Sequence, residues 1–356
     1  MKFKKLEALR GFAALYIVVN HVFTFDIVKN SAPAIVRLPF RFGQEAVTMF
    51  FLLSGFVIYL SVSRSTTIDF PKYFLKRFVR IYPILIITFI ISIVVAFINQ
   101  HHFVMEDGRT FIGNLFMLQD LDGRPGYFTL PFLENWPLWS LSYEWSFYLL
   151  FYPIYVFFIK ENTIKISSTY VVLGISMCGW LLYMVFPNHL FLVVAYFSLW
   201  WAGVACAQVY LKYKTFTFET LKPVFWSLGV MTIITSVPFI WRLLYGGYLH
   251  PIEYPIITFR NYFMSIILIL AGLTWWQTKL KGFDALLGWF EKIAPISYGL
   301  YVSHYVLLSL NMPAFINPYL AILIRLALAF LTAYLLEIKM QPVFNNLLLK
   351  RQGIVK

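Results

Sequence analysis

Ten runs of about twenty mostly apolar residues divide this chain, each close to the length that crosses a bilayer as a helix. They lie near 7–25, 46–63, 81–99, 137–159, 169–187, 190–211, 223–241, 258–277, 288–310 and 318–338. In hydrocarbon every backbone N–H and C=O must find its partner inside the protein, which selects helices for such runs. The expected fold is therefore all-α, an integral membrane bundle of about ten transmembrane helices. Composition agrees: 60% of the 356 residues are hydrophobic and only 13% charged. A water-soluble domain carries about a quarter charged residues, so a soluble enzyme, a nucleic-acid binder and a disordered chain are excluded.

The formal charge of +13 is distributed by membrane side rather than as a nucleic-acid footprint. Ten spans with the N-terminus inside put 21 of the 29 Lys and Arg residues on the cytoplasmic side. That asymmetry predicts a multi-pass protein of the cytoplasmic (inner) membrane with both termini cytoplasmic. The apolar run behind Lys2–Lys5, with Ala32-Pro33-Ala34 after it, imitates a signal peptide. The polar pair Asn20-His21 interrupts it, so it reads as a retained first span. Residues 1–340 form the expected transmembrane domain and 341–356 a short cytoplasmic tail. Cys178 and Cys206 fall inside apolar runs and read as buried small side chains, with no disulfide and no metal. The outer segment from Gln100 to Trp136 is long and rich in turn dipeptides, which suits a binding wall or lid.

Ionisable side chains inside spans are costly and mark sites by default. Arg10 opens the first span and His21 follows eleven residues on, about 16 Å along a helix. Arg77 and Arg80, three apart, share a helix face where two forked guanidiniums suit a polyphosphate. Glu144, entering from outside, and His304, entering from inside, come to a depth similar to that of His21. A His–Glu pair at that depth suits a general base. Plainer roles are open for each: snorkelling anchors or lipid-headgroup contacts for the arginines, core hydrogen bonding for the histidines, a bundle-specifying polar network for the set.

These segments together resemble the acyltransferase type 3 family of bacterial membrane O-acyltransferases. The residues that carry the likeness are Leu6–Ala14 with His21, Phe50-Phe51-Leu52-Leu53-Ser54-Gly55-Phe56, and Arg77-Phe78-Val79-Arg80-Ile81-Tyr82-Pro83. Trp139-Ser140-Leu141-Ser142-Tyr143-Glu144 and Ser297–His304 complete it. The resemblance implies transfer of an acyl group, usually acetyl, from cytoplasmic acyl-CoA to a hydroxyl of a surface glycan or its lipid-linked precursor. Acetyl-CoA would be the donor, with no metal. Arg10, Arg77 and Arg80 would hold the CoA phosphates, and His21, polarised by Glu144, would serve as base or as acyl-histidine nucleophile, with His304 nearby. Some relatives append an outer SGNH-type esterase/transferase domain, which is not expected here, so a separate periplasmic or extracellular transferase is a further partner to consider. A proton-coupled exporter or flippase is the rival reading, but the chain shows no internal repeat and the basic motif would lack a role.

Overall fold

The structure is a computed structural model that describes residues 4–24, 33–64, 69–160, 167–246 and 254–350. Lys2, Lys29, Lys165, Arg351, Lys356 and Ala32, which entered the charge and cleavage readings, lie outside the described residues. The principal helices are α1 (Lys4–Thr24), α2 (Gly43–Ser63), α3 (Phe70–Ile98), α4 (Met105–Leu115), α5 (Trp139–Ile154) and α6 (Ser168–Val185). They continue with α7 (His189–Tyr213), α8 (Phe218–Tyr245), α9 (Ile256–Gln277), α10 (Ser297–Leu308) and α11 (Pro318–Tyr334). No strand occurs among the described residues, only the isolated bridge Gln119–Thr129. The protein is a multi-pass, all-α membrane bundle.

Eight helices among the described residues are long and apolar enough to cross a membrane. The other two expected spans, near 137–159 and 288–310, take irregular forms with identifiable causes. Helix α5 carries Pro153 near its end and passes into a π-helical turn over Tyr155–Lys160. Proline lacks the N–H that an α-helix needs and crowds the carbonyl four residues back, which favours a change of register. Helix α10 has only 12 residues, about 18 Å at the standard rise. It is preceded by short 3-10 turns over Gly288–Lys292 and Ala294–Ile296. Such broken backbone is tolerated at membrane depth where it is buried in protein or lines a cavity, and most of α10 is buried.

Helix α3 starts at Phe70, earlier than its apolar run suggests, because Asp69 caps it by accepting a bond from the Lys72 N–H at 2.9 Å. Arg77 and Arg80 thereby stand within a continuous helix. At the centre, α2 and α7 touch backbone to backbone. A Cβ at Gly55 would lie 2.3 Å from the Trp200 carbonyl oxygen, and one at Gly203 would lie 2.0 Å from that of Leu52. Only glycine permits this approach, and it fixes the position of Ser54 beside Gly55. Trp200, Trp201, Phe147, Phe151 and Tyr196 fill the core next to the crossing. Outward faces keep large apolar side chains, such as Ile86, Ile90, Val94 and Phe97 on α3, which lipid would cover.

One expectation changes. Cys178 is exposed on the outer face of α6 rather than buried, while Cys206 is partly covered. A small apolar thiol can face lipid as readily as protein. The segment after Gln341 is helical as far as Lys350, and the buried Gln341 side chain donates to the Val79 carbonyl at 2.9 Å. Residues expected as a tail therefore dock on α3.

Candidate functional site

A cavity of about 260 Å³ opens between α1, α2, α3, α5 and α10. Its charged wall contains Arg10, Arg77, Arg80 and Glu144, so four of the six site residues expected from sequence line one space. The three guanidiniums differ in their company. Arg10 pairs with Glu7, one turn earlier, at 3.2 Å. Arg80 makes a forked bond to Glu337, with Nη2 at 3.1 Å from Oε1, and covers the Tyr298 ring at 5.3 Å. Arg77 has no acidic partner among the described residues; it lies over the rings of Tyr73 and Tyr148 at 5.6 and 5.8 Å, and its buried Nε makes no hydrogen bond. Aromatic faces attract a cation but leave its charge uncompensated. Arg77 is thus the cation best placed to receive an incoming anion.

Glu144 faces the same space from α5. Its Oε1 accepts from Ser54 Oγ at 2.8 Å and from Tyr148, and those two hydroxyls are 3.2 Å apart. Ser54 comes from α2 through the glycine crossing, and Tyr148 stands one turn after Glu144 on α5.

The histidines meet elsewhere. His21 Nδ1 lies 2.8 Å from His304 Nε2, with the rings stacked at 5.0 Å between centroids. His304 is fully buried, and its Nδ1 lies 2.9 Å from the Leu300 carbonyl oxygen. A carbonyl can only accept, so His304 Nδ1 carries the proton. Its Nε2 must then accept from His21 Nδ1–H when both rings are neutral. With Nδ1 donating to His304, the lone pair of His21 falls on Nε2.

Between the two clusters stands a hydrogen-bonded closure. The Tyr301 hydroxyl donates to the Pro137 carbonyl at 2.7 Å and lies 2.7 Å from Ser140 Oγ. Asn135 donates to the Val302 carbonyl at 2.8 Å, so earlier residues around the start of α5 meet later residues of α10 and the two run antiparallel. Glu144 is four residues from Ser140, and His304 three from Tyr301, on opposite sides of the closure. At 1.5 Å per residue they are about 10 Å apart along the bundle, and the similar depth expected from sequence is not found. Among the described residues no group of three His, Cys, Asp or Glu side chains could hold a metal.

The segment from Gln100 to Trp136 meets α10 where Asn135 donates to the Val302 carbonyl. Within it, the buried Asp120 accepts from Arg124 Nη1 at 2.7 Å, His189 Nδ1 at 2.8 Å and the Tyr143 hydroxyl at 2.6 Å. Burial opposes ionisation of Asp120, but Arg124 and its other donors prevail and hold the carboxyl below the ordinary carboxylate range. Arg124 also lies 4.1 Å over the Trp139 ring, which ties the segment to the start of α5.

A family model described as an acyltransferase domain matches residues 3–337. The chain belongs to the acyltransferase domain family. Among curated relatives of this acyltransferase-family chain is acyltransferase MdmB of Streptomyces mycarofaciens, 29% identical over 170 residues, which span 46% of this chain and 42% of that protein. Another is ORF330 of the Acidianus two-tailed virus, named as a candidate acetyltransferase, 29% identical over 152 residues, 42% of this chain and 40% of that protein. The chain matches less than half the length of either relative. No solved structure matches it.

Several residues at the site of this acyltransferase-family protein escaped the sequence reading. Tyr148 stands four after Glu144 and Glu7 three before Arg10, spacings that signal helical neighbours. Glu337 is an ionisable group inside an apolar run, a signal that was legible. The Ser140–Tyr301 closure and the approach of Tyr143 and His189 to the Asp120–Arg124 pair join distant segments, and nothing local announces those contacts.

Proposed function

We propose that this protein is a membrane O-acyltransferase that moves an acyl group, acetyl in the first instance, from cytoplasmic acyl-CoA to a hydroxyl of an extracytoplasmic glycan or its lipid-linked precursor. The observation that carries this reading is the cavity itself, with an uncompensated arginine in its wall and Tyr301 at its head, one turn from an oriented histidine pair. Arg77, supported by Arg10 and Arg80, takes the phosphates of the donor. The thin arm extends past Glu144 toward Tyr301, which must swing aside for the thioester to reach His21. The charge asymmetry of the sequence supports a cytoplasmic face for the arginines and an outer face for His21.

At His21 the Nε2 lone pair takes the proton of the acceptor hydroxyl, and the oxygen attacks the thioester carbonyl. The new C–O bond forms, the C–S bond breaks, and the thiolate leaves with the proton returned through His21. His304, hydrogen-bonded to Nδ1, holds the ring in the competent tautomer. The segment 100–136 walls the acceptor side. The test is direct: purified protein should bind acetyl-CoA, and surface glycans from cells with and without it should differ by acetyl masses. Protein that is folded yet binds no acyl-CoA would overturn the reading.

A further inference from the structure

We infer that Glu144, with Ser54 and Tyr148, forms a subsite for the amide-bearing pantetheine arm of the donor, a role distinct from that of a base. The inference rests on the acyl-CoA reading and deepens it. Both hydroxyls bond Glu144 Oε1. No described residue bonds Oε2, and Glu144 is only half-buried on the cavity wall, so that oxygen opens onto the cavity. With their protons committed to Glu144, the Ser54 and Tyr148 oxygens also present lone pairs. The result is a patch that only accepts hydrogen bonds, and it matches a ligand that offers N–H groups.

Charge sorts the ligand along the same wall. Arg77 attracts the phosphates at one end, while the carboxylate beyond it repels them, so whatever continues past Glu144 must be uncharged and must donate. The arm that follows the diphosphate in CoA is uncharged and carries two secondary amides, each of which loses water on entering the bundle. A buried amide N–H left without an acceptor is costly, and Glu144 Oε2 supplies one. Glu144 is also set about 10 Å from His304 along the bundle axis, on the far side of the Ser140–Tyr301 closure, and His304 already has its partner in the Leu300 carbonyl.

Two ligands separate the parts: CoA, and 3′-phosphoadenosine 5′-diphosphate, which keeps the phosphates and lacks the arm. Glu144→Ala should weaken CoA binding about 10- to 100-fold, the range expected for a hydrogen bond to a charged group. It should not weaken binding of the fragment, since the carboxylate it removes repels phosphate. Arg77→Ala should weaken both. Glu144→Gln, which keeps an acceptor for Ser54 and Tyr148, guards against misfolding and should raise KM for acyl-CoA more than it lowers kcat. Undiminished CoA affinity in both Glu144 variants, or loss confined to kcat, overturns the subsite while leaving the acyl-CoA reading intact. Wild-type protein that binds neither ligand overturns both.

Discussion

His304 Nε2 stands 2.8 Å from His21 Nδ1, and its own Nδ1 is committed to the Leu300 carbonyl at 2.9 Å. Two hydrogen bonds in series thus set which nitrogen of His21 keeps its lone pair. Replacing His21 by Ala should lower acyl transfer by about 10²–10⁴-fold, the usual worth of a positioned base, while acyl-CoA binding persists. His21→Gln restores hydrogen bonding without basicity and should fail equally. Transfer near the wild-type rate in the Gln variant, measured per amount of protein in the membrane, would move the base to another residue.

The arginines should not behave alike. Arg77→Ala removes the uncompensated cation and should cost about 1.5–3 kcal/mol of donor affinity, with unfolding unchanged. Arg80→Ala instead leaves Glu337, only 6% exposed, as a carboxylate without its partner. A buried charge deprived of its pair costs about 3–5 kcal/mol, so this variant should lose stability first. Parallel titrations and thermal unfolding in detergent separate the two; equal effects in both assays would contradict the assignment.

Tyr301 closes the cavity through its bonds to Pro137 and Ser140. Tyr301→Phe keeps the ring and removes both bonds, each worth about 0.5–1.5 kcal/mol. Acyl-CoA hydrolysis without an acceptor should rise, by roughly tenfold on those figures, because water gains the path between the donor cavity and His21. An unchanged hydrolysis rate would mean that the hydroxyl is no latch.

The segment 100–136 hangs on Asp120. Asp120→Asn leaves Arg124, 2% exposed, with a buried charge and no carboxylate, at a cost of about 3–5 kcal/mol. Limited proteolysis should then cut this segment before the helices. The folded carboxyl titrates below its ordinary value of about 3.8, so its stabilisation is full above that value and is lost as pH falls through the lower folded one. The difference between wild type and variant should therefore hold at neutral pH and shrink only in strong acid. A difference that vanishes near neutrality would contradict the ion pair.

Gly203→Ala should be among the most damaging small changes in the bundle, since its Cβ would meet the Leu52 carbonyl at 2.0 Å. Overpacking of this kind costs about 1–3 kcal/mol, and the displaced α2 carries Ser54 away from Glu144. Donor affinity and thermal stability should fall together. A variant with normal unfolding and normal affinity would show that the two helices separate freely.

The amino-acid sequence by itself determined the solvent of this protein, its helical class and most of the residues of its candidate site. Apolar runs of bilayer length leave the backbone no choice but helix, and an Arg, Glu or His inside such a run is too costly to be idle, so Arg10, Arg77, Arg80, Glu144, His21 and His304 could all be picked out one by one. Their partners could not. Straight, full-length spans place His304 near the depth of Glu144, but α10 is a 12-residue helix entered through 3-10 turns, and the two residues lie on opposite sides of the Ser140–Tyr301 closure. Tertiary packing alone put Glu337 against Arg80, left Arg77 on aromatic faces, and turned His21 toward His304. Pairing between helices depends on which faces the Gly55–Gly203 crossing brings together and on a closure between residues 140 and 301, and no local pattern encodes a contact across that separation.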